Sequence, residues 1–293
     1  VRELLQATAS GVLSGGVLAL VAVGFSLVWS TLDVINLAHG ALVVLGAYVA
    51  WAVTTKAGVS PLLGLAAAFV ALFVVGFGLE RVVIARVVGR PIATTLLATF
   101  GIGLVLVAAM DELFSADYRS IPTPFSLGSV AVGPVRLPDV ALAAFALVVV
   151  ITAALLWLVY RTRLGLAIRA IGADRLGARL VGIDAGRLWA LTFAISAGLA
   201  GAAGAMYGAI GTFSPASATT LTLFSFVVAV IGGVGRMQGA LVGGVLLGVL
   251  ESLGGTYLGG TYVNGIAFGL VFVVLALRWR LGRDEVGLEG WQG

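Results

Sequence analysis

Long apolar runs separated by short polar breaks dominate the chain. Nine stretches qualify as candidate membrane segments: Ser10–Trp29, Leu37–Val53, Pro61–Leu79, Thr94–Ala109, Val140–Tyr160, Leu188–Ile210, Leu221–Val234, Gly239–Leu253 and Val263–Leu277. A helix needs about 20 apolar residues to cross a bilayer core. Only helices or closed barrels satisfy their backbone groups in lipid, and the alternation of a barrel is absent. The pattern therefore predicts an all-α, polytopic transmembrane helical bundle of about 8–10 spans, forming one domain over residues 1–293. Leu37–Val53 and Leu221–Val234 are short for a full crossing, so broken or re-entrant helices are expected there.

Composition agrees with a membrane protein. Hydrophobic residues make up 60% of the chain and mean hydropathy is +1.14, well beyond the roughly 45–50% apolar content of soluble domains. With no cysteine and one histidine, disulfide and thiol chemistry are excluded and no multi-ligand metal site is expected. Arg2 and Glu3 precede an apolar run too long for a cleavable signal peptide.

Charge orders the loops. Arginines cluster at Arg81, Arg86 and Arg90, from Arg161 to Arg187, and at Arg278, Arg280 and Arg283, while Lys56 is the only lysine. Under the positive-inside rule all three clusters are expected in the cytoplasm. The net charge of +4 is then a topology signal, and no nucleic acid partner is expected. Residues 111–139 fall outside, and nine full spans put the N-terminus outside too; a re-entrant segment near Asn36 would change that parity. Within the outer loop, Phe125 to Pro134 alternates as in a small hairpin, either a connector or a landing surface for an external partner. The segment 161–187 is long enough to form a short amphipathic helix along the membrane surface and to dock a soluble protein.

Polar residues inside the apolar pattern are the candidates for a pathway. Asp33, Asn36 and His39 are three residues apart, which a helical turn would bring to one face. A lone histidine is commonly a satisfied structural residue; the sharper reading places Asn36 and His39 at a helix break near the translocation route. His39-Gly40-Ala41-Leu42-Val43 is echoed by Gln238-Gly239-Ala240-Leu241-Val242, which makes Gln238 a candidate as well, although residues this common also repeat by chance. Glu251, late in a span, either reaches the interface or joins the pathway. Gly198, Gly201, Gly204, Gly208 and Gly211 form one helical stripe, and Gly239 with Gly243 and Gly244 with Gly248 give two GxxxG pairs. Such stripes allow helix backbones to approach closely. No GxxxxGK[ST] loop occurs, so ATP is not expected to bind this chain.

Asn36-Leu-Ala-His39-Gly40 followed by Leu45-Gly46-Ala47-Tyr48 resembles the N-terminal signature of branched-chain amino acid ABC permeases, with Leu37 where phenylalanine is usual. Thr162-Arg163-Leu-Gly165-Leu-Ala167-Ile-Arg169-Ala170, with Ala178 and Gly182-Ile183, resembles the family's cytoplasmic coupling segment. Ala229-Val-Ile-Gly232-Gly233-Val-Gly235, with Gly239, Ala240 and Gly243, is similar to its C-terminal signature. The resemblance implies a multi-pass permease of the bacterial inner membrane. It implies pairing with a second permease subunit, an external solute-binding protein, and two cytoplasmic ATPases that hold ATP and Mg. It also implies that Arg163, Arg169, Ala170, Asp174, Ala178 and Gly182 belong to the ATPase-coupling segment.

Within that class, a urea or short-chain amide permease carries similar signatures. A secondary transporter or channel would call for paired carboxylates or a selectivity ring; Asp33, Glu80 and Glu251 are the near candidates, and none is obviously paired. An intramembrane enzyme lacks any catalytic constellation of useful spacing.

Overall fold

The computed structural model describes residues 2–124, 128–233 and 235–259, with single positions at 265, 269, 272, 273 and 276. Apart from those single positions, the predicted span Val263–Leu277 lies outside the described residues, as do the arginines at 278, 280 and 283.

Helix α1 (Arg2–Leu32) is followed by a non-helical segment, 33–38, and by α2 (His39–Lys56). Helix α3 (Pro61–Val87) begins with proline at its first turn, where the missing N–H costs nothing, and contains a π-helical turn at Glu80–Ile84. After α4 (Ile92–Phe114) comes an antiparallel hairpin of β1 (Ser129–Val132) and β2 (Val135–Pro138). The chain then runs through α5 (Asp139–Arg161), two short helices α6 (Arg163–Ala173) and α7 (Arg175–Leu180), α8 (Ala185–Ile210), α9 (Ser217–Gly232) and α10 (Met237–Tyr257). Six of these, α1, α3, α4, α5, α8 and α10, are long and apolar enough to cross a membrane. The shorter α2 and α9 lie among them, giving eight membrane helices among the described residues.

Burial sorts the helices. The most apolar windows of α1 and α8 are 89% and 83% buried, whereas those of α3, α4 and α5 are 22%, 17% and 28% buried. Thus α1 and α8 form the centre and the other three present most of their apolar surface outward. Because lipid offers no hydrophobic drive between helices, the central contacts rest on small residues. A side chain at Gly204 would collide with the Val43 carbonyl on α2, one at Gly201 with the Ala68 carbonyl on α3, and one at Gly198 would press on Phe69. On α10, Gly244 and Gly248 abut Ala19 and Gly15 of α1, and Gly243 abuts Val228 of α9. Gly208 packs on Phe213 and Ile121. Gly211 departs from the expected stripe: it caps α8 in an extended, exposed conformation, so the stripe ends at Gly208.

The two ends of the bundle are distinct. At one, Arg2 donates to the Pro134 carbonyl and the Gln6 side chain pairs with the Arg136 backbone, fixing the start of α1 to the hairpin. At the other, Arg175 donates to the Leu32 carbonyl, fixing α7 to the end of α1. These are called the hairpin end and the basic end below. Hence the start of α1 and the described residues between 111 and 139 share one side, and the arginine-rich segment occupies the opposite one.

Candidate functional site

The break after α1 is the first place where backbone groups need help. Asp33 takes a positive φ of 56°, and residues 33–38 leave helical geometry before α2 restarts. The expected helical face of Asp33, Asn36 and His39 therefore does not form: Asp33 is exposed while Asn36 and His39 are buried. Asn36 Oδ1 accepts from the Ala38 amide. His39 Nε2 lies 2.8 Å from the Val21 carbonyl on α1. A carbonyl only accepts, so the proton sits on Nε2; Nδ1 has no partner among the described residues. The ring also meets Phe25 edge-on, with centroids 5.7 Å apart. Val21 lies well inside α1, so α2 starts at membrane depth and runs toward the hairpin end.

A second helix starts beside it. The Gly40 amide donates to Thr222 Oγ1 at 3.0 Å, and Thr222 in turn donates to the Ala218 and Leu37 carbonyls. Helix α9 thus begins against the start of α2 and continues to the basic end, where Gly235 lies on Ser30. From α4, Thr99 Oγ1 accepts from the Leu37 amide and donates to the Ile35 carbonyl. Two threonines therefore hold the break, supplying the backbone partners that lipid cannot. A cavity of about 270 Å³ lies at this junction, lined by Leu37, Ala41, Gly103, Ala218 and Thr222 among others.

The other pathway candidates lie elsewhere. Gln238 is exposed in the first turn of α10 near the basic end. Glu251 is half-buried on α10 and lines a cavity of about 450 Å³ with Ser14, Tyr207 and Phe224. Since Gly248 abuts Gly15 and Gly11, near the start of α1, Glu251 sits toward the hairpin end. Asn36 and His39 are brought together, whereas Gln238 and Glu251 are placed on either side of them.

The basic segment folds as two helices where one was expected. Thr162 caps α6 by accepting from Gly165 N. Asp174 ends that helix and caps α7, accepting from Leu176 N and Gly177 N, which is the usual office of an N-cap aspartate. Asp174 is therefore a hinge between helices. Ala178 is buried and Ala170 half-buried, whereas Arg163, Arg169 and Gly182 are exposed. Arg169 stacks on the Tyr160 ring, and Arg175 and Arg179 lie over Trp189. The outward apolar residues are Leu166 (60% exposed), Leu176 (69%), Leu180 (79%) and Val181 (77%).

Sequence reasoning missed several of these contacts. Arg175 was one arginine among many, yet it bonds the end of α1. At the hairpin end, Arg119 bonds the Phe114 carbonyl and lies 4.1 Å above the Trp51 ring. Tyr48 there stacks on Phe114 and meets Phe213 edge-on. Arg119 and Phe213 also exchange backbone bonds, so this cluster ties the ends of α2 and α4 to the segment before α9. Glu80 is fully buried in the π-turn of α3, with no hydrogen-bond partner among the described residues.

A multi-pass bundle with helices interrupted at membrane depth and a helix pair presented at its basic end has the architecture of a membrane permease. The chain matches the family described as "Branched-chain amino acid transport system / permease component" over residues 7–276, and it belongs to that family. It is 32% identical to the high-affinity branched-chain amino acid transport system permease protein BraD of Pseudomonas aeruginosa, covering 98% of each chain. It is 30% identical to the permease protein LivH of Escherichia coli, covering 96% of each. Against the probable permease protein LivH of Methanocaldococcus jannaschii it is 26% identical, over 95% of this chain and 90% of the other. Among solved structures, PsaBC from Streptococcus pneumoniae in complex with Fab aligns with a TM-score of 0.47 and 12% identity, over 91% of this chain and 90% of that one.

Proposed function

We propose that this chain is the membrane subunit of an ATP-driven importer of branched-chain or other hydrophobic amino acids in the cell's inner membrane. It pairs with a second permease subunit. Two ATPases, which hold ATP and Mg, dock on the basic end in the cytoplasm, and a solute-binding protein docks at the hairpin end outside. The observation that carries the reading is the α6–α7 pair: apolar side chains stand outward among arginines, on helices latched to the bundle. A soluble partner takes up such a face by seating the leucines in a groove and holding the rim by charge.

The latch gives the docked ATPases a route into the membrane. Arg175 bonds Leu32, and Gly172 lies against the Ser30 carbonyl. Leu32 directly precedes the break at 33–38, which the two threonines tie to α4 and α9. Movement of α6 and α7 is thereby transmitted to the starts of α2 and α9, where the bundle is interrupted. Among the residues that the resemblance assigned to coupling, Asp174 and Ala178 act by shaping the pair. The docking ridge is Leu176, Leu180 and Val181.

The test uses the transporter reconstituted with its ATPases and binding protein in proteoliposomes. Leu176→Glu with Leu180→Glu is expected to abolish ATP-dependent leucine uptake and co-purification of the ATPases, with the permease still inserted. Full uptake by that double variant would refute the docking assignment.

A further inference from the structure

The cavity beside Glu251 has a chemistry that the structural contacts of the bundle leave unused. It holds about 450 Å³ between α1, the end of α8, α9 and α10. Its lining includes polar residues, Glu251 with Tyr207, Ser14 and Ser252. Apolar side chains line it too, among them Val17, Leu18 and Phe224. Ser14 already donates its proton to the Ser10 carbonyl, so it faces the cavity as an acceptor. A carboxylate and hydroxyl acceptors together with hydrocarbon in one lining suit a ligand that carries donors and positive charge as well as a short apolar chain.

Glu251 has no counter-charge within reach of its own elements. Among the described residues it makes no hydrogen bond or ion pair. The sequence extends the point: no lysine or arginine occurs between Arg2 and Lys56, between Arg187 and Arg236, or between Arg236 and Arg278. Those intervals contain all of α9, all of α10, and α1 and α8 beyond their first turns. A carboxylate at membrane depth is costly without a partner and characteristically faces a cavity or pathway. Among the described residues no side chain supplies that partner, and the cavity leaves the carboxylate open to a ligand that does.

We propose that Glu251 receives the α-ammonium group of the transported amino acid in this cavity, with the apolar side chain lying against Val17, Leu18 and Phe224. This rests on the amino-acid importer reading above and gives the permease a substrate site of its own on the hairpin side of the helix break. An ammonium group supplies three donors and a full charge, matching what the carboxylate and its neighbouring acceptors lack. Leucine, isoleucine and valine share that head group and differ only in the apolar part.

The experiment measures binding of radiolabelled leucine to the permease–ATPase complex in nanodiscs, without the binding protein. Two competitors separate the ends of the ligand: 3-methylbutylamine keeps the ammonium and lacks the carboxylate, and 4-methylpentanoate does the reverse. The amine is expected to displace leucine and the acid to fail. Glu251→Gln is expected to weaken leucine binding about tenfold, the scale of one charge-assisted hydrogen bond, and to erase the difference between the competitors. Thr256→Val, on an exposed position one turn along α10, serves as the control. Wild-type affinity in Glu251→Gln, or equal competition by amine and acid, would overturn the assignment. So would a sodium-dependent rise in melting temperature that Glu251→Gln abolishes while leucine binding persists, which marks a small-cation site.

If Glu251→Gln does not assemble, the cysteine-free sequence offers a second route. The thiol introduced by Ser252→Cys should be shielded from a methanethiosulfonate reagent by leucine and by the amine; no shielding overturns the proposal. Failure of the wild-type transporter to import leucine would refute the importer reading itself. Import by the wild type and equally by Glu251→Gln would refute only the role of Glu251.

Discussion

The starts of α2 and α10 carry nearly the same five residues and use them differently. His39 is buried and bonded to α1, whereas Gln238 is exposed at the basic end. The glycine that follows is used alike in both. A side chain at Gly40 would strike the backbone of Ala218 and Thr222, at the start of α9; one at Gly239 would strike the backbone of Gly232, at its end. The echo therefore marks two helices closing on opposite ends of a third. What recurs is the backbone approach, which needs glycine. What changes is the preceding residue, because depth decides whether a polar side chain requires a partner.

The largest effect should come from filling the approach. In both Gly40→Leu and Gly239→Leu the nearest obstructing atoms are backbone, so rotating a neighbouring side chain cannot clear the space. Each is expected to cost about 3 kcal/mol or more, seen as loss of monodisperse protein in detergent and a sharp fall in Tm. Gly78→Leu is the comparison, since nothing lies within 4 Å of a side chain there. A tolerated Gly239→Leu beside a damaging Gly40→Leu would show that the two glycines do not share a role.

The residues before the glycines should then separate. His39→Ala removes the bond to Val21 and leaves a void in the bundle, for a cost of about 2–5 kcal/mol. Gln238→Ala changes an exposed side chain and should stay within about 0.5 kcal/mol. Thermal melting of the two purified variants checks this. Equal melting temperatures would mean that the His39 contact adds nothing to stability.

Much of this arrangement was legible in the sequence, for physical reasons. Lipid forces long apolar helices, so the runs that became α1, α3, α4, α5, α8 and α10 stood out. Glycine spacing marked the close approaches on α8 and α10, because few other residues permit them. The hairpin was placed a few residues early, with Phe125 to Leu127 outside the described residues, since alternation over so short a stretch does not fix register. The two-helix form of the basic segment turned on Asp174, whose capping role depends on where the chain bends. Arg175 could not be told from its neighbours because charge locates a loop's side of the membrane without naming its partners. Thr99 and Thr222 were hidden for a subtler reason. A threonine in an apolar helix commonly bonds its own helix's carbonyl one turn back, and both do so, to Thr95 and Ala218. Their further bonds to the break exist only once the helices are packed.

Those further bonds give the smallest and most local effect. Thr222→Val keeps the shape of the side chain and removes the oxygen that accepts from the Gly40 amide. That N–H is then left without a partner at membrane depth, at a cost of about 1–3 kcal/mol. Thr99→Val removes the longer bond from Leu37 N, at 3.2 Å, and should fall at the lower end of that range. Thr222→Ser keeps the hydroxyl and should restore most of the loss. Hydrogen exchange followed by mass spectrometry reads the change where it occurs: peptides spanning 33–44 should exchange faster in Thr222→Val, and peptides from the hairpin end should not. Unchanged exchange across 33–44 would mean that the start of α2 is held by its packing against α1 alone, and that the contrast between the two helix starts rests on His39 without the threonines.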